Sequence, residues 1–520
     1  MYRSTLLIAL ALFASPANAQ SRTQDAAALR AAARTYREAH EGTILKEFSD
    51  LLSIPNVATD RANIKRNADL LIRMLERRGV TARTLDIPDG NAAVYGEIKV
   101  PGATKTLVLY AHYDGQPIDS TQWVTKPFAP VLRDKALFNG GKVIDMPADG
   151  QHADTNNRIY ARSASDDKGS IISMLTALDA MKAAGRQPSV NLKFFFEGEE
   201  EAGSTHLMEI LEKYKDVLAA DAWLFCDGPV HQSGRSQVVF GARGITGLEL
   251  IVYGPTRPLH SGHYGNWAPN PGALLANIVA SMRDDDGHIR IAGYYDDVRP
   301  ISAAEKRALA AIPPVDAELR KSLGLARTEA NNARLEERIM MPALNVRGLA
   351  VGAPGAQSAN AISTEARGSF DFRLVPNQDP QRVQKLVIAH LRKLGYFVTE
   401  DSVTMEVRMS HARIVKLSWE NGYRPSRASM GTGLGNALVQ AVADGVGYQP
   451  YAVPTLGGSG PNYMFEQVLK VPVIVLPMAN YDNNQHASNE NLRIGNLWNA
   501  IEMYVGVMGR IGDYWGKPMP

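Results

Sequence analysis

The feature that most constrains this chain is a set of short apolar runs, each ending in acidic or histidine side chains. Residues 107–110 lead into Ala111-His112-Tyr113-Asp114. Residues 190–196, with three consecutive phenylalanines, lead into Glu197-Gly198-Glu199-Glu200-Glu201, and residues 222–226 lead into Asp227. Short apolar runs of this kind read as buried strands, whose ends are the natural places for charge. Helical patterns lie between them. Ile44, Phe48 and Leu51 share a face, as do Ile64, Ala68, Leu71 and Leu75, with Gly79 at the expected C-cap. Residues 171–184 form a further helix closed by Gly185. Strands alternating with helices predict an α/β domain on a largely parallel sheet flanked by helices. In such sheets ligand sites gather beyond the carboxyl ends of the strands.

The pattern changes near Gly244. Residues 245–253 read as a strand, 271–282 as a helix, 368–374 alternate in and out, 380–394 read as a helix and 397–409 as a strand. That order predicts a small two-layer α+β domain. From about Gly431 the first style returns, with a helix to Val442, a strand over 471–476 and a last helix near Leu497. The large domain is therefore expected to be discontinuous, with residues 20–243 as its first part, 244–415 as the insertion and 416–520 as its second part. A chain of 520 residues, 45% hydrophobic, has material for two cores.

Arg3, an apolar run over 6–13 and the small-residue site Ala17-Asn18-Ala19 read as a leader over residues 1–19, cleaved after Ala19. An N-terminal helix that stays on the domain is the alternative. The leader predicts a secreted protein, periplasmic in a Gram-negative source. Its apolar run is too short to span a bilayer, and no later segment reads as a membrane helix, so no membrane insertion is expected. Cys226 is the only cysteine, which rules out an intrachain disulfide. Lys and Arg total 56 against 54 Asp and Glu, interleaved along the chain. Without a basic stripe, nucleic acid is not an expected partner.

The clusters carry the chemistry. Residues two apart on a strand point the same way, so Asp114 can hold the second nitrogen of His112, as carboxylates do behind metal-ligating histidines. Asp166 and Asp167 lie in Ser163-Ala164-Ser165-Asp166-Asp167-Lys168-Gly169 before a helix, where capping is the ordinary alternative. Glu197, Glu199, Glu200 and Glu201 crowd one strand end and repel one another unless a cation or solvent neutralises them. A solvated acidic loop is the competing reading. His486 sits in Asn484-Gln485-His486-Ala487-Ser488-Asn489-Glu490, after the strand over 471–476. Each cluster alone is compatible with a structural role. Together, the order His, Asp, Glu-Glu, Asp, His on successive strand ends is specific.

With these clusters, residues 294–300 (Tyr-Tyr-Asp-Asp-Val-Arg-Pro) and residues 373–380 (Arg-Leu-Val-Pro-Asn-Gln-Asp-Pro), the chain resembles the dinuclear-zinc peptidase and aminoacylase family over about residues 40–510. That family includes carnosinase-like dipeptidases, glutamate carboxypeptidase and succinyl-diaminopimelate desuccinylase, and the dipeptidase branch is the nearest. The resemblance implies a catalytic domain interrupted by a lid and dimerisation domain. It implies two divalent metal ions, zinc by default, with manganese or cobalt as replacements. His112 and Asp227 would hold one, Glu201 and His486 the other, and Asp166 would bridge them. Asp114 would support His112, and Glu200 would be the general base for attack by a metal-bridging hydroxide. Pro258-Leu259-His260-Ser261-Gly262 resembles the lid motif whose histidine stabilises the oxyanion, often from the other subunit, which implies a homodimer through the small domain. Arg373, with Gly458 and Ser459 of Gly457-Gly458-Ser459-Gly460, would hold a substrate carboxylate, and Asn360 would also contact substrate. His263 and Cys226 read as structural.

The expected function is an exported, metal-dependent dipeptidase or carboxypeptidase that hydrolyses the amide next to a free C-terminal carboxylate. An N-acyl-amino-acid deacylase with the same site is the nearest alternative. A periplasmic solute-binding protein would explain the leader and two domains but not the clusters. A serine hydrolase using Ser459 would lack the G-x-S-x-G spacing. Two departures from the family stand out. Ala161-Arg162-Ser163 replaces the usual Gly-Arg-Gly, a change in backbone freedom. Thr455-Leu456 replaces the Arg-Glu usual near carnosinase, which bears on substrate choice. Residues 139–157 read as an insertion whose Asp145, Asp149, His152 and Asp154 are expected to be a solvated polar loop rather than a cation site. A lid over the cleft is a further hypothesis for it.

Overall fold

Three buried strands at the centre of an eight-stranded sheet set the frame. Thr106–His112 pairs in parallel with Asn191–Glu197 on one side and Ala222–Phe225 on the other. The computed structural model describes residues 16–516, and side chains from residue 24 onward. Residues 1–15 of the expected leader lie outside the described residues, and the helix Pro16–Ala39 runs through Ala19. The full strand order is Thr81–Leu85, Ala93–Ile98, Asn191–Glu197, Thr106–His112, Ala222–Phe225, Val473–Val475, Gln237–Val239 and Tyr451–Val453. The centre is parallel as expected, but Ala93–Ile98 is antiparallel to both its neighbours, so the sheet is mixed.

By packing, the chain forms two units. The first holds the described residues up to Val238 together with Ser429–Ala452 and Ile474–Pro520 as far as they are described; the second holds Val239–Ala428 and Val453–Val473. From sequence alone the change-overs fall at 243/244 and 415/416. The observed second unit starts at Val239, keeps residues 416–428, since Ile414–Trp419 pairs with the central strand of its own sheet, and takes back 453–473.

In the first unit, Arg61–Glu76 packs on the two outer strands, and Lys168–Ala183 packs on Thr106–His112. Phe194, Phe195, Phe196 and Trp223 are fully buried. Burial of such side chains contributes roughly 25 cal/mol per Å² of apolar surface. The helices Gly433–Val446 and Ile494–Tyr514 meet backbone to backbone: a Cβ on Gly506 would stand 2.3 Å from the Ala441 carbonyl oxygen. A small second sheet joins Asn491–Arg493, Arg158–Tyr160, Val131–Arg133 and Val143–Ile144.

The second unit is a two-layer α+β body. Its sheet order is Ala343–Ala350, Glu365–Leu374, Gly244–Tyr253, Ile414–Trp419 and Phe397–Thr399. Leu248, Leu250, Val252, Phe370 and Phe372 form one side of its core, with Ile278 and Val387 from helices Pro271–Met282 and Pro380–Lys393. Both helices open with proline at their first position, capped by Asn270 and Asp379 side chains. The expected strand over 397–409 is wrong beyond Thr399. Thr404 accepts the Val407 N–H and starts the helix Met405–Ser410, which a continuous strand cannot accommodate. Residues 294–300 and 373–380 lock this unit together: Gln378 donates to the Tyr294 carbonyl at 2.9 Å and Arg299 N–H to Pro376 at 3.4 Å. Among the described residues, no helix is long and apolar enough to cross a membrane.

Candidate active site

The strand Thr106–His112 ends on His112, and Asn191–Glu197 runs beside it and delivers Glu200 and Glu201 on the turn that follows. Asp227 follows the next parallel strand, and Asp166 comes just before the helix Lys168–Ala183. His486 sits on the loop after Val473–Val475. The fold thus brings together residues spread over more than half of the chain.

Two groups of ligand atoms result, each within 4.8 Å of one another: His112, Asp166 and Asp227, and Asp166, Glu201 and His486. Asp166 belongs to both. Its Oδ1 faces His112 Nε2 at 2.9 Å, and its Oδ2 faces His486 Nε2 at 3.1 Å. His486 Nε2 lies 3.3 Å from Glu201 Oε2, which accepts from Gln116 at 2.7 Å. One carboxylate turned to two imidazole–carboxylate sets fits a pair of divalent cations, because such mixed donors suit borderline ions and carboxylates bridge readily. Among the described residues, the acids of 139–157 form no such group. Asp149 accepts the Thr43 N–H and hydroxyl, both at 2.6 Å, and Asp154 accepts the Asn156 N–H at 2.7 Å.

Crowding shows in the electrostatics. Burial, and next the charge of Asp166, pushes Glu201 up to about 8 and Asp227 up to about 6. Burial also drives Glu200 well above the ordinary carboxylate range, with Glu201, Asp227 and Asp166 adding to it. Against the desolvation of its own burial, hydrogen bonds from His112 and His486 hold Asp166 below that range. Hydrogen bonding to Asp166 raises His486 to about 9. Acids and imidazoles this close share protons or share cations.

The supports are as specific as the donors. Asp114 is fully buried. Its carboxylate lies 3.4 Å from His112 Nδ1, whose closer contact is the Asp114 carbonyl oxygen at 3.2 Å. The same carboxylate accepts the N–H of Glu200 at 3.1 Å and of Glu201 at 3.0 Å, so it fixes the turn that carries both. Glu199 belongs to neither ligand group and accepts from the Asn91 N–H and His206 instead.

Glu490, at the end of the His486 motif, supports the centre from behind. Fully buried, it accepts from Arg162 at 2.8 Å, Ser163 N–H at 2.8 Å, the N–H and hydroxyl of Ser165 at 2.9 Å, and Asp166 N–H at 3.0 Å. It holds the whole approach to Asp166. Ser163 has φ of +62°, and Asn56 donates to its hydroxyl at 2.9 Å. No pattern marked Glu490, since a lone glutamate near a loop end is common. A serine in this left-handed conformation carries a steric cost that glycine does not.

In the second unit, Leu259–His260 pairs with Ala361–Ile362, so His260 and Asn360 are neighbours and both are exposed. His260 Nδ1 accepts the Gly262 N–H at 3.1 Å, and its ring lies 4.5 Å from that of His263. Arg373 donates to Asp371 at 2.8 Å and to the Ser459 hydroxyl at 3.0 Å, joining two expected carboxylate-holding residues. Gly458 uses its carbonyl to accept the Arg243 N–H at 3.1 Å. Arg243, which no sequence motif marks, donates its Nε–H to the Gly457 carbonyl at 2.8 Å, near Arg373. Cys226 is a buried free thiol.

Comparison with known proteins matches this picture. Residues 108–510 match the model of peptidase family M20/M25/M40, and the chain belongs to that family. It is 26% identical over 474 residues to the Cys-Gly metallodipeptidase of Schizosaccharomyces pombe, covering 88% of this chain and 93% of that one. It is 26% identical over 492 residues to the Beta-Ala-His dipeptidase of Homo sapiens, covering 90% and 89%. The structure of an M20 family metallo-carboxypeptidase from Sulfolobus solfataricus superposes with a TM-score of 0.73 at 29% identity, covering 90% of this chain and 99% of that one. With the paired ligand groups, this makes the chain a metallohydrolase of the dipeptidase branch.

Proposed function

We propose that the protein is an exported dipeptidase that cleaves the amide beside a free C-terminal carboxylate, using two zinc ions. The observation that carries this reading is the sharing of Asp166 between two ligand groups, each spanning no more than 4.8 Å. The curated relatives named above are dipeptidases by their printed names, which supports the substrate class. Zinc is the default for mixed imidazole and carboxylate donors. His112 and Asp227 would hold one ion, Glu201 and His486 the other, and Asp166 both. Bound there, the ions would supply Lewis acidity and make a nearby water easier to deprotonate.

The chain's own groups do the rest. Glu200 takes a proton from the attacking water on its carboxylate and hands it to the leaving amine, so the proton count closes. Asp114 keeps Glu200 in place by accepting its backbone N–H. His260 donates to the oxyanion, in a homodimer formed through the second unit. Arg373 grips the substrate carboxylate with a forked donor, with Ser459 beside it. Export rests on the leader pattern of residues 1–19.

A panel of dipeptides and N-acetylated amino acids, assayed before and after chelation, tests the proposal. It expects dipeptide turnover that a chelator abolishes and zinc restores. Turnover confined to N-acetylated amino acids would replace it with the deacylase reading, and chelator-resistant activity would overturn it.

A further inference from the structure

The second unit holds a cavity of about 260 Å³, lined by Arg243, Arg338 and Ile339 among others, that no part of the proposed mechanism uses. It is smaller than the roughly 300–1,000 Å³ of pockets that enclose whole drug-sized ligands, and suits one side chain. Its wall adjoins the glycine loop: a Cβ on Gly457 would meet Ile339 at 3.4 Å and Arg243 Nη2 at 3.7 Å, and both residues line the cavity. Two residues along that loop, Ser459 accepts from Arg373 at 3.0 Å. The cavity therefore adjoins the loop whose Ser459 is proposed to hold the substrate carboxylate.

The charges on its wall do not balance. Arg283 is answered by Glu329 at 2.6 Å, and Asp316 caps Leu335 N–H at 2.8 Å, leaving its second oxygen without a partner. Arg243 spends only its Nε and backbone N–H, both on loop carbonyls. Asp371, the nearby acid, is already engaged by Arg373 at 2.8 Å. Arg338 has no carboxylate partner among the described residues. Burial, and then Arg373, pulls Arg243 down to about 10, as befits a guanidinium short of anions.

We propose that this cavity receives the side chain of the substrate's C-terminal residue, and that Arg243 and Arg338 select an acidic one. The inference rests on the dipeptidase reading and adds its substrate class: dipeptides ending in aspartate or glutamate. Forked guanidinium donors favour a carboxylate over the isosteric amide because the pairing is charge-assisted and planar.

The test compares kcat/KM of the zinc-loaded full-length protein on Ala-Glu, Ala-Gln and Ala-Ala. Ala-Glu is expected to exceed Ala-Gln by about tenfold or more, the worth of a charge-assisted hydrogen bond. Arg338→Gln should bring that ratio close to one, and Glu337→Gln, at an exposed neighbour, should keep it. Equal efficiency on Ala-Glu and Ala-Gln in the unaltered protein overturns the inference, and that comparison needs no variant to fold. A ratio that survives Arg338→Gln also overturns it. Turnover of none of the three dipeptides sinks the dipeptidase reading and this inference together; turnover without preference sinks this inference alone.

Discussion

The two units hold their functional candidates in opposite ways. In the first, Asp166 is 4% exposed and Glu490 and Asp114 are fully buried, so the ligand groups stand on an interior hydrogen-bond frame, with His486 as the open member. In the second, the His260 and Asn360 side chains are exposed on a short two-stranded ribbon that Leu259 and Ile362 anchor from below, while Arg373 is held by Asp371 and Ser459. The difference follows from what each must do. Cation ligands have to be placed before the ion arrives, since crowded carboxylates cannot arrange themselves cheaply. Groups that meet substrate can remain in solvent until it binds. Variants in the first unit should therefore disturb metal content and stability along with turnover, and variants in the second should disturb turnover alone.

The largest effect tests an exception to that rule. Glu200→Ala removes the proposed base but none of the shared ligand atoms, so kcat should fall by at least ~10³ while elemental analysis still finds two ions. An active variant would show that another group moves the proton. His260→Ala should cost ~10²–10³ in kcat, the worth of one oxyanion donor, with metal content and thermal midpoint unchanged. Loss of metal in that variant would break the contrast between the units.

Glu490→Gln sharpens the contrast from the other side. It strips the buried partner of Arg162, whose side chain is 2% exposed, and weakens the grip on the backbone approaching Asp166. A buried charge left unpaired costs roughly 3 kcal/mol, read as a lower urea midpoint, and metal affinity should drop about 10- to 100-fold. Unchanged affinity would mean that Asp166 is positioned without it.

The strand-and-cluster pattern made the first unit's site readable in advance. Apolar runs ending in His112, Glu197 and Cys226-Asp227 leave few places for those charges other than a strand end. What periodicity could not carry is who supports whom. Glu490 and Arg243 act through hydrogen bonds to backbone groups far away in sequence, and such pairs leave no spacing to read. The return of 453–473 to the second unit was hidden for a similar reason: its links there, Arg373 to Ser459 and Arg243 to Gly457, join residues far apart in sequence. The 397–409 run shows the limit of alternation itself, since a single capping threonine outweighed it.

The smallest effect concerns Ser163. Both Ser163→Ala and Ser163→Gly lose the hydrogen bond from Asn56, but only glycine relaxes the +62° backbone. The glycine variant should be more stable than the alanine variant by ~1 kcal/mol in urea unfolding. Equal midpoints would show that the frame around Glu490 absorbs the strain.

The account stands on Asp166 serving two cations at once. The direct measurement is metal content per chain, by elemental analysis, for Asp166→Ala beside Asp227→Ala and the unaltered protein. Two ions are expected in the unaltered protein, one in Asp227→Ala, and essentially none in Asp166→Ala. Two ions retained by Asp166→Ala would contradict the shared carboxylate and the centre built on it.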